Sequence, residues 1–215
     1  MHIKKSRIID VCGQKGFIDG LHEARDVLLS GGIVAFPTES FYGLAVDPMN
    51  EEAVDRLFAI KNREPDQPIL LLIPGLESIN LYASEIPEIA GALIKRFWPG
   101  GLTLLFKAMP CISQRLTAGT GKIGLRLSSH PVATALAQSV NAPITGTSAN
   151  PSGSPACMSA GEAYDYFKEG VLILDGGRTE GGKGSTIVDV TCSPPGIVRE
   201  GMISSSRLDL IEDMT

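Results

Sequence analysis

Two cations, Lys61 and Arg63, leave the end of one helical stretch in which Val54, Leu57 and Phe58 fall at the i, i+3 and i+4 places that face a core. Lys61 takes the next place on that apolar stripe. A lysine there either snorkels its ammonium to water or points it into a polar hollow. With Arg63 two residues on and Pro65 closing the helix, the pair has the makings of an anion site, a point charge beside a bidentate fork. The plainer reading is that both complement the negative end of the helix dipole. A second segment, Gly146-Thr147-Ser148-Ala149-Asn150-Pro151-Ser152-Gly153-Ser154-Pro155, follows an apolar run and gathers small hydroxyl and amide side chains. Ser148 and Asn150 can hydrogen-bond phosphate or carboxylate oxygens without adding charge. The same composition also makes ordinary turns.

Three more cations sit in or beside apolar strands: Lys122, Arg126 in Gly124-Leu125-Arg126-Leu127, and Arg199 in Ile197-Val198-Arg199. Each alone can face solvent from a one-sided strand. Together with Lys61 and Arg63 they can line one concave site for an anionic ligand. The segment Gly176 to Ser185 contains Gly177-x-x-x-x-Gly182-Lys183, the spacing of a phosphate-binding loop. Gly184 stands where that loop needs a hydroxyl for magnesium, and the chain runs on into Thr186-Ile187-Val188-Asp189-Val190, a β-type run with no phosphate-binding helix. The segment reads instead as a glycine lid ending in Ser185, or as a plain loop.

The elements that must position these residues alternate along the chain. Residues 21–30 read as a short helix ended by Gly31-Gly32, and 33–36 as a buried strand stopped by Pro37. Asn50 is placed to cap the helix that carries Lys61. Strands are expected at 67–73, 102–106, 123–127, 143–147, 171–174, 186–190 and 197–199. Helices are expected at 87–97, at 131–140 with Pro131 in the first turn, and from the Ser159-x-x-Glu162 capping box to about residue 168. The polar residues from 204 onward are expected to form a loosely held tail. Strands and helices with no polar linker between them predict a single α/β (α+β) domain over residues 1–215, a sheet covered by helices.

Composition excludes several classes. With 43% hydrophobic, 20% charged and 6% aromatic residues, the chain is globular rather than disordered or fibrous. The longest strictly apolar stretch is Ile69 to Ile73, and Met1-His2-Ile3-Lys4-Lys5 leads into no secretory core, so no membrane involvement is expected. The 4 cysteines form no C-x-x-C pair and the 3 histidines are scattered, which predicts reduced thiols in a cytoplasmic protein and no structural zinc. A net charge of −5 provides no general field for nucleic acid, so any polyanion must be held locally.

Pro37-Thr38-Glu39-Ser40-Phe41-Tyr42-Gly43-Leu44, Lys61-Asn62-Arg63, Trp98-Pro99-Gly100-Gly101-Leu102-Thr103, Arg126-x-x-x-His130-Pro131, Ser148-Ala149-Asn150-Pro151-Ser152-Gly153 and Ser185-Thr186-Ile187-Val188-Asp189 come in a family's order. In these motifs, over about residues 20–200, the chain resembles the YrdC-like threonylcarbamoyl-AMP synthases, in a short form carrying that domain alone. The resemblance implies a domain core at about 20–200 in which a twisted mixed sheet flanked by helices encloses one large open cavity holding ATP beside L-threonine. The expected activity makes threonylcarbamoyl-AMP and pyrophosphate from L-threonine, bicarbonate and ATP, the nucleotidyl-transfer step that feeds tRNA N6-threonylcarbamoyladenosine modification.

By the same resemblance Lys61, Arg63, Ser148 and Asn150 are the catalytic tetrad. Arg63, Gln67, Lys122, Ser148, Asn150 and Arg199 contact ATP, while Ser40, Arg126 and Ser185 hold threonine. Magnesium rides mainly on ATP phosphates and water, with no protein metal site. A downstream tRNA threonylcarbamoyl-transferase complex receives the adenylate, and RNA binding by the chain itself is expected to be weak at most. Two departures stand out: Ser40 replaces a threonine common in relatives, and Leu72 stands where some carry histidine near the amino acid. A fold-sharing protein that binds nucleotide or RNA without catalysis is the alternative, and a carbamoyl-adenylate-forming module is a second.

Overall fold

The structure, a computed structural model, describes residues 5–212, with side chains up to Leu208. The start at Met1-His2-Ile3-Lys4 and the end at 213–215 lie outside the described residues. In chain order the elements are β1 (Arg7–Asp10), α1 (Gln14–Leu29), β2 (Ile33–Pro37), β3 (Tyr42–Ala45), α2 (Glu51–Lys61) and β4 (Leu71–Leu72). A short turn of 3-10 helix (Leu76–Ser78) leads into α3 (Ile79–Tyr82), followed by α4 (Glu88–Phe97), β5 (Leu102–Lys107), α5 (Gln114–Thr117), β6 (Lys122–Arg126) and α6 (Pro131–Val140). Then come β7 (Ile144–Thr145), β8 (Thr147–Ser148), α7 (Ala160–Tyr166), β9 (Val171–Asp175), β10 (Thr186–Asp189), β11 (Gly196–Arg199) and α8 (Ser205–Glu212).

The expected mixed α/β architecture is present, with its strands divided between two sheets. One is five-stranded in the order β1-β9-β2-β3-β8, the other six-stranded in the order β11-β10-β5-β6-β4-β7, and each mixes parallel and antiparallel pairs. Residues 144–148 belong to both, since β7 pairs with β4 in the second sheet and β8 with β3 in the first. Gly146 makes the crossing. A Cβ there would lie 2.7 Å from Leu70 Cδ1 and 3.0 Å from Leu72 Cγ, so the absence of one lets these two leucines pack over the crossing.

The middle of the first sheet, strands β9, β2 and β3, is buried on both faces, which is why β2 reads as an unbroken apolar run. Val34 and Phe36 pack with α1 and α6 residues such as Leu28 and Leu136, while Ile33 and Ala35 join the larger core with Leu57, Leu104 and Leu125. That split is the two-residue alternation of a strand. Asn50 accepts a hydrogen bond from Ala53 N at 3.1 Å and starts α2 as expected, and α6 spans the anticipated residues 131–140. Ser159 caps α7 by accepting from Glu162 N at 3.3 Å, although Glu162 returns its carboxylate to Met158 N rather than to the cap itself.

Other expectations need correction. The first helix begins at Gln14 rather than 21, because Gly16 and Gly20 serve close packing instead of breaking it: a Cβ at Gly16 would meet Asp10 O at 2.4 Å. Strand pairing around 67–73 is confined to Leu71–Leu72, since Pro68 has no N–H to donate and Ile69 turns its own to Leu116 O. The tail from 204 is no loose end. Residues 205–212 form α8, with Leu208 only 7% exposed and the Arg207 guanidinium 5.6 Å from the centre of the Phe97 ring.

Candidate active site

A cavity of about 650 Å³ opens between the two sheets and is lined from both. Of the residues singled out above, Ser40, Arg63, Lys122, Arg126, Ser148, Ser185 and Arg199 line it; Lys61, Gln67 and Asn150 do not. The lining cations come from a loop after α2, from both ends of β6 and from β11, so widely separated stretches converge on one hollow. Leu70, Leu72, Leu105 and Ile187 give the lining an apolar part, and at Gly124 an added Cβ would lie 3.2 Å from Leu70 and Leu105 side-chain atoms.

Each arginine is gripped by part of its guanidinium and leaves part free. Arg126 donates from Nε to Gly100 O at 3.0 Å and pairs through Nη2 with Glu39 Oε1, which leaves both Nη1 protons for a ligand. Ser128 Oγ donates to the other Glu39 oxygen at 2.6 Å. Burial opposes ionisation of Glu39, but Arg126 and Ser128 outweigh it and hold the carboxyl below its ordinary value. Arg199 donates from Nε and Nη2 to Ser185 O at 3.2 and 2.9 Å, leaving its Nη1 free. Arg63 donates from Nη2 to Pro68 O at 2.8 Å and reaches Thr147 Oγ1 with Nη1 at 3.4 Å. Burial lowers the pKa of both Arg63 and Arg199, the latter also through the nearby Arg126 charge. An arginine stays charged regardless, so the hollow is set up to attract anions.

Lys122 ends in an ion pair with Asp189 Oδ2 at 2.5 Å, and that hydrogen bond raises its pKa. Asp189 is the one carboxylate among the described residues that line the cavity.

Three of the expected residues, Lys61, Gln67 and Asn150, stand away from the cavity lining. Lys61 is 1% exposed, and its Nζ donates to Ser148 O and, at 2.5 Å, to Asn150 O. It therefore staples the Ser148–Asn150 loop rather than presenting charge to the hollow. Burial, aided by Arg63, lowers its pKa to about 7. Cys157 Sγ donates to the intervening Ala149 O at 2.7 Å, and burial pushes that thiol up to about 11. Asn150 turns its amide nitrogen to Pro151 O and Ser154 O at 3.0 and 2.6 Å. Gln67 is exposed and contributes its backbone oxygen, which Arg63 Nε approaches at 3.4 Å. The left-handed Asn62, with φ of 49°, turns the chain so that Lys61 and Arg63 diverge.

Residues 176–185 carry no regular element and enter β10 directly, in keeping with the rejection of a phosphate-binding loop. Tyr42 Oη donates to Gly177 O at 2.7 Å, and Gly181 N donates to Ser40 O at 2.8 Å. Thr38, Glu39, Thr103, Thr147 and Asp189 carry contacts at or beside the cavity that sequence reasoning missed. All five stand inside segments quoted above, which was the available signal.

A family model described as "Telomere recombination", for the Sua5, YciO and YrdC proteins, matches residues 26–201. The chain belongs to the Sua5/YciO/YrdC family. This member is 37% identical over 189 residues to the threonylcarbamoyl-AMP synthase of Pyrococcus abyssi, a match covering 87% of this chain and 56% of the relative. It is 35% identical over 191 residues to the threonylcarbamoyl-AMP synthase of Bacillus subtilis, covering 88% and 55%. The crystal structure of P. abyssi Sua5 complexed with L-threonine superposes with a TM-score of 0.90 at 34% identity, over 95% of this chain and 60% of that one. The chain thus spans a little over half the length of these relatives. Among the described residues of this Sua5/YciO/YrdC chain no helix is long and apolar enough to cross a membrane, and no group of three or more His, Cys, Asp or Glu could hold a metal ion.

Proposed function

We propose that the chain condenses L-threonine, bicarbonate and ATP into threonylcarbamoyl-AMP and pyrophosphate. The observation that carries this reading is the convergence of Arg63, Arg126, Arg199 and Lys122 on one hollow, each arginine with an N–H group still unused, in a domain that superposes on a Sua5 holding L-threonine. Two anions, a carbamate and a triphosphate, must be brought to reacting distance against their repulsion, and fixed cations lining one hollow offset it. The free Nη1 of Arg126 suits the threonine carboxylate, with Ser40 and Ser185 beside it. Arg63, Ser148, Arg199 and Lys122 suit the phosphates, while Lys61 and Asn150 hold the Ser148 loop in place.

The threonine amine takes up carbon dioxide, or bicarbonate with loss of water, to give a carbamate. A carbamate oxygen then bonds to the α-phosphorus as the bond to the pyrophosphate oxygen breaks, and pyrophosphate leaves. Magnesium enters with ATP on its phosphates and water. The chain's donor set fits that arrangement, since it offers the cavity a single carboxylate, Asp189, already engaged by Lys122. The adenylate passes to a cytoplasmic tRNA threonylcarbamoyl-transferase complex, and RNA contact by this acidic chain is weak at most.

The test is pyrophosphate release from ATP, magnesium, bicarbonate and L-threonine. Release only when threonine is present is expected, and Arg63→Ala should lower kcat/KM at least tenfold while leaving the fold intact by circular dichroism. Threonine-independent release would replace this reading with carbamoyl-adenylate formation. No release, with ATP still bound, would replace it with a binding protein.

A further inference from the structure

Thr103 lies on β5, the strand next to β10, and is 0% exposed as a residue although its side chain reaches the cavity wall. Its Oγ1 donates to Ser185 Oγ at 2.8 Å, and Arg199 Nη2 donates to the same oxygen at 3.3 Å. A serine hydroxyl has two acceptor lone pairs and one proton. Both lone pairs of Ser185 are occupied by these donors, so its proton is the only hydrogen-bonding capacity left, and the cavity is where an acceptor can meet it. Thr103 cannot easily give up its part. Its rotamer is fixed by a branched Cβ, and its Cγ2 fills the space over Gly124, where an added Cβ would lie 3.3 Å from it.

We infer that Thr103 is a positioning residue that commits the Ser185 hydroxyl to donation, making this point of the cavity selective for an anionic oxygen over an ammonium or hydroxyl donor. The inference deepens the proposed function, which puts threonine at Ser185, and names the group met there: a carboxylate, carbamate or phosphate oxygen. It also explains a threonine inside an apolar β5, where valine would fill the same volume.

Thr103→Val removes the donor and keeps the shape. The first measurement is the crystal structure of the unliganded variant, in which the Ser185 side chain is expected to populate more than one rotamer; a single unchanged rotamer overturns the inference. The second is isothermal titration of L-threonine and of ATP. Thr103→Val should weaken one of them about three- to tenfold, the size of one hydrogen bond, with Thr103→Ser restoring wild-type affinity. In a Ser185→Ala background Thr103→Val should cost less than about twofold, because the hydroxyl it orients is gone. Equal losses in both backgrounds mean that Thr103 acts by packing alone, and the inference fails. Wild-type protein that binds neither ligand defeats the proposed function, while the rotamer measurement still decides the role of Thr103.

Discussion

Arg126 Nη2 and Glu39 Oε1 face each other just behind the cavity lining, an ion pair between side chains only 6% and 12% exposed. The pair joins the loop after β2 to the end of β6, and so ties one sheet to the other beside the hollow. Its attraction is what allows a guanidinium to be buried with its Nη1 still unused.

Removing either partner leaves the other buried without its counter-charge. Arg126→Met is expected to cost about 3 kcal/mol or more in urea denaturation, because Glu39 is left as an uncompensated buried charge. Glu39→Gln keeps a hydrogen-bonding group and should cost less. The folded-state pKa of Glu39 is lowered, so its charge stabilises the protein above the unfolded value near 4.3, and this contribution disappears as pH falls through the folded pKa. The stability gap between wild type and Glu39→Gln should therefore narrow on acidification below about pH 4. A gap that stays constant would show that the charge is not what matters.

Lys61 gives a slope of the same sign in a different, alkaline window. With a folded pKa of about 7 against about 10.4 when unfolded, the unfolded chain binds the extra proton between these values, and stability rises with pH across that window. Compared with Lys61→Met, wild type should gain up to about 1 kcal/mol per pH unit between pH 7 and 10. Parallel stability curves for the two proteins would mean that Lys61 is held charged by its carbonyl partners.

Asp189→Asn releases Lys122 from its ion pair and removes the cavity's one carboxylate. The variant should bind ATP more tightly, with KM for ATP falling severalfold at low salt and the difference shrinking as ionic strength rises. An increased KM would instead make Asp189 a direct participant in holding the nucleotide.

Gly146→Ala forces a methyl group toward Leu70 and Leu72 at the crossing of the two sheets. The expected cost is about 1–3 kcal/mol by urea or thermal denaturation, the usual size of overpacking. Because Ser148 is two residues on, kcat should fall as well. A stable variant with normal turnover would show that the strands have room to part.

The helices carrying caps and an unbroken period, α2 after Asn50 and α6 from Pro131, were legible because the signals that make them are local. Helix α1 reaches back to Gln14, past Gly16 and Gly20, because close packing on β1 leaves no room for a Cβ at either glycine, a tertiary reason that local pattern does not carry. The cations of the site were legible as charges out of place in apolar runs. Their division of labour was not.

The sequence by itself determined the kinds of group available, their order, the periodicity of the strands and helices, and hence an α/β domain with several cations to accommodate. Which groups face the hollow was decided only in three dimensions. Lys61 meets Ser148 across 87 residues, Thr103 meets Ser185 across 82, and Ser128 meets Glu39 across 89. Hydrogen bonds are directional and short, so a side chain's role follows from which partners stand within about 3 Å of it. Those partners are brought there by the pairing of strands far apart in the chain, which no local pattern records.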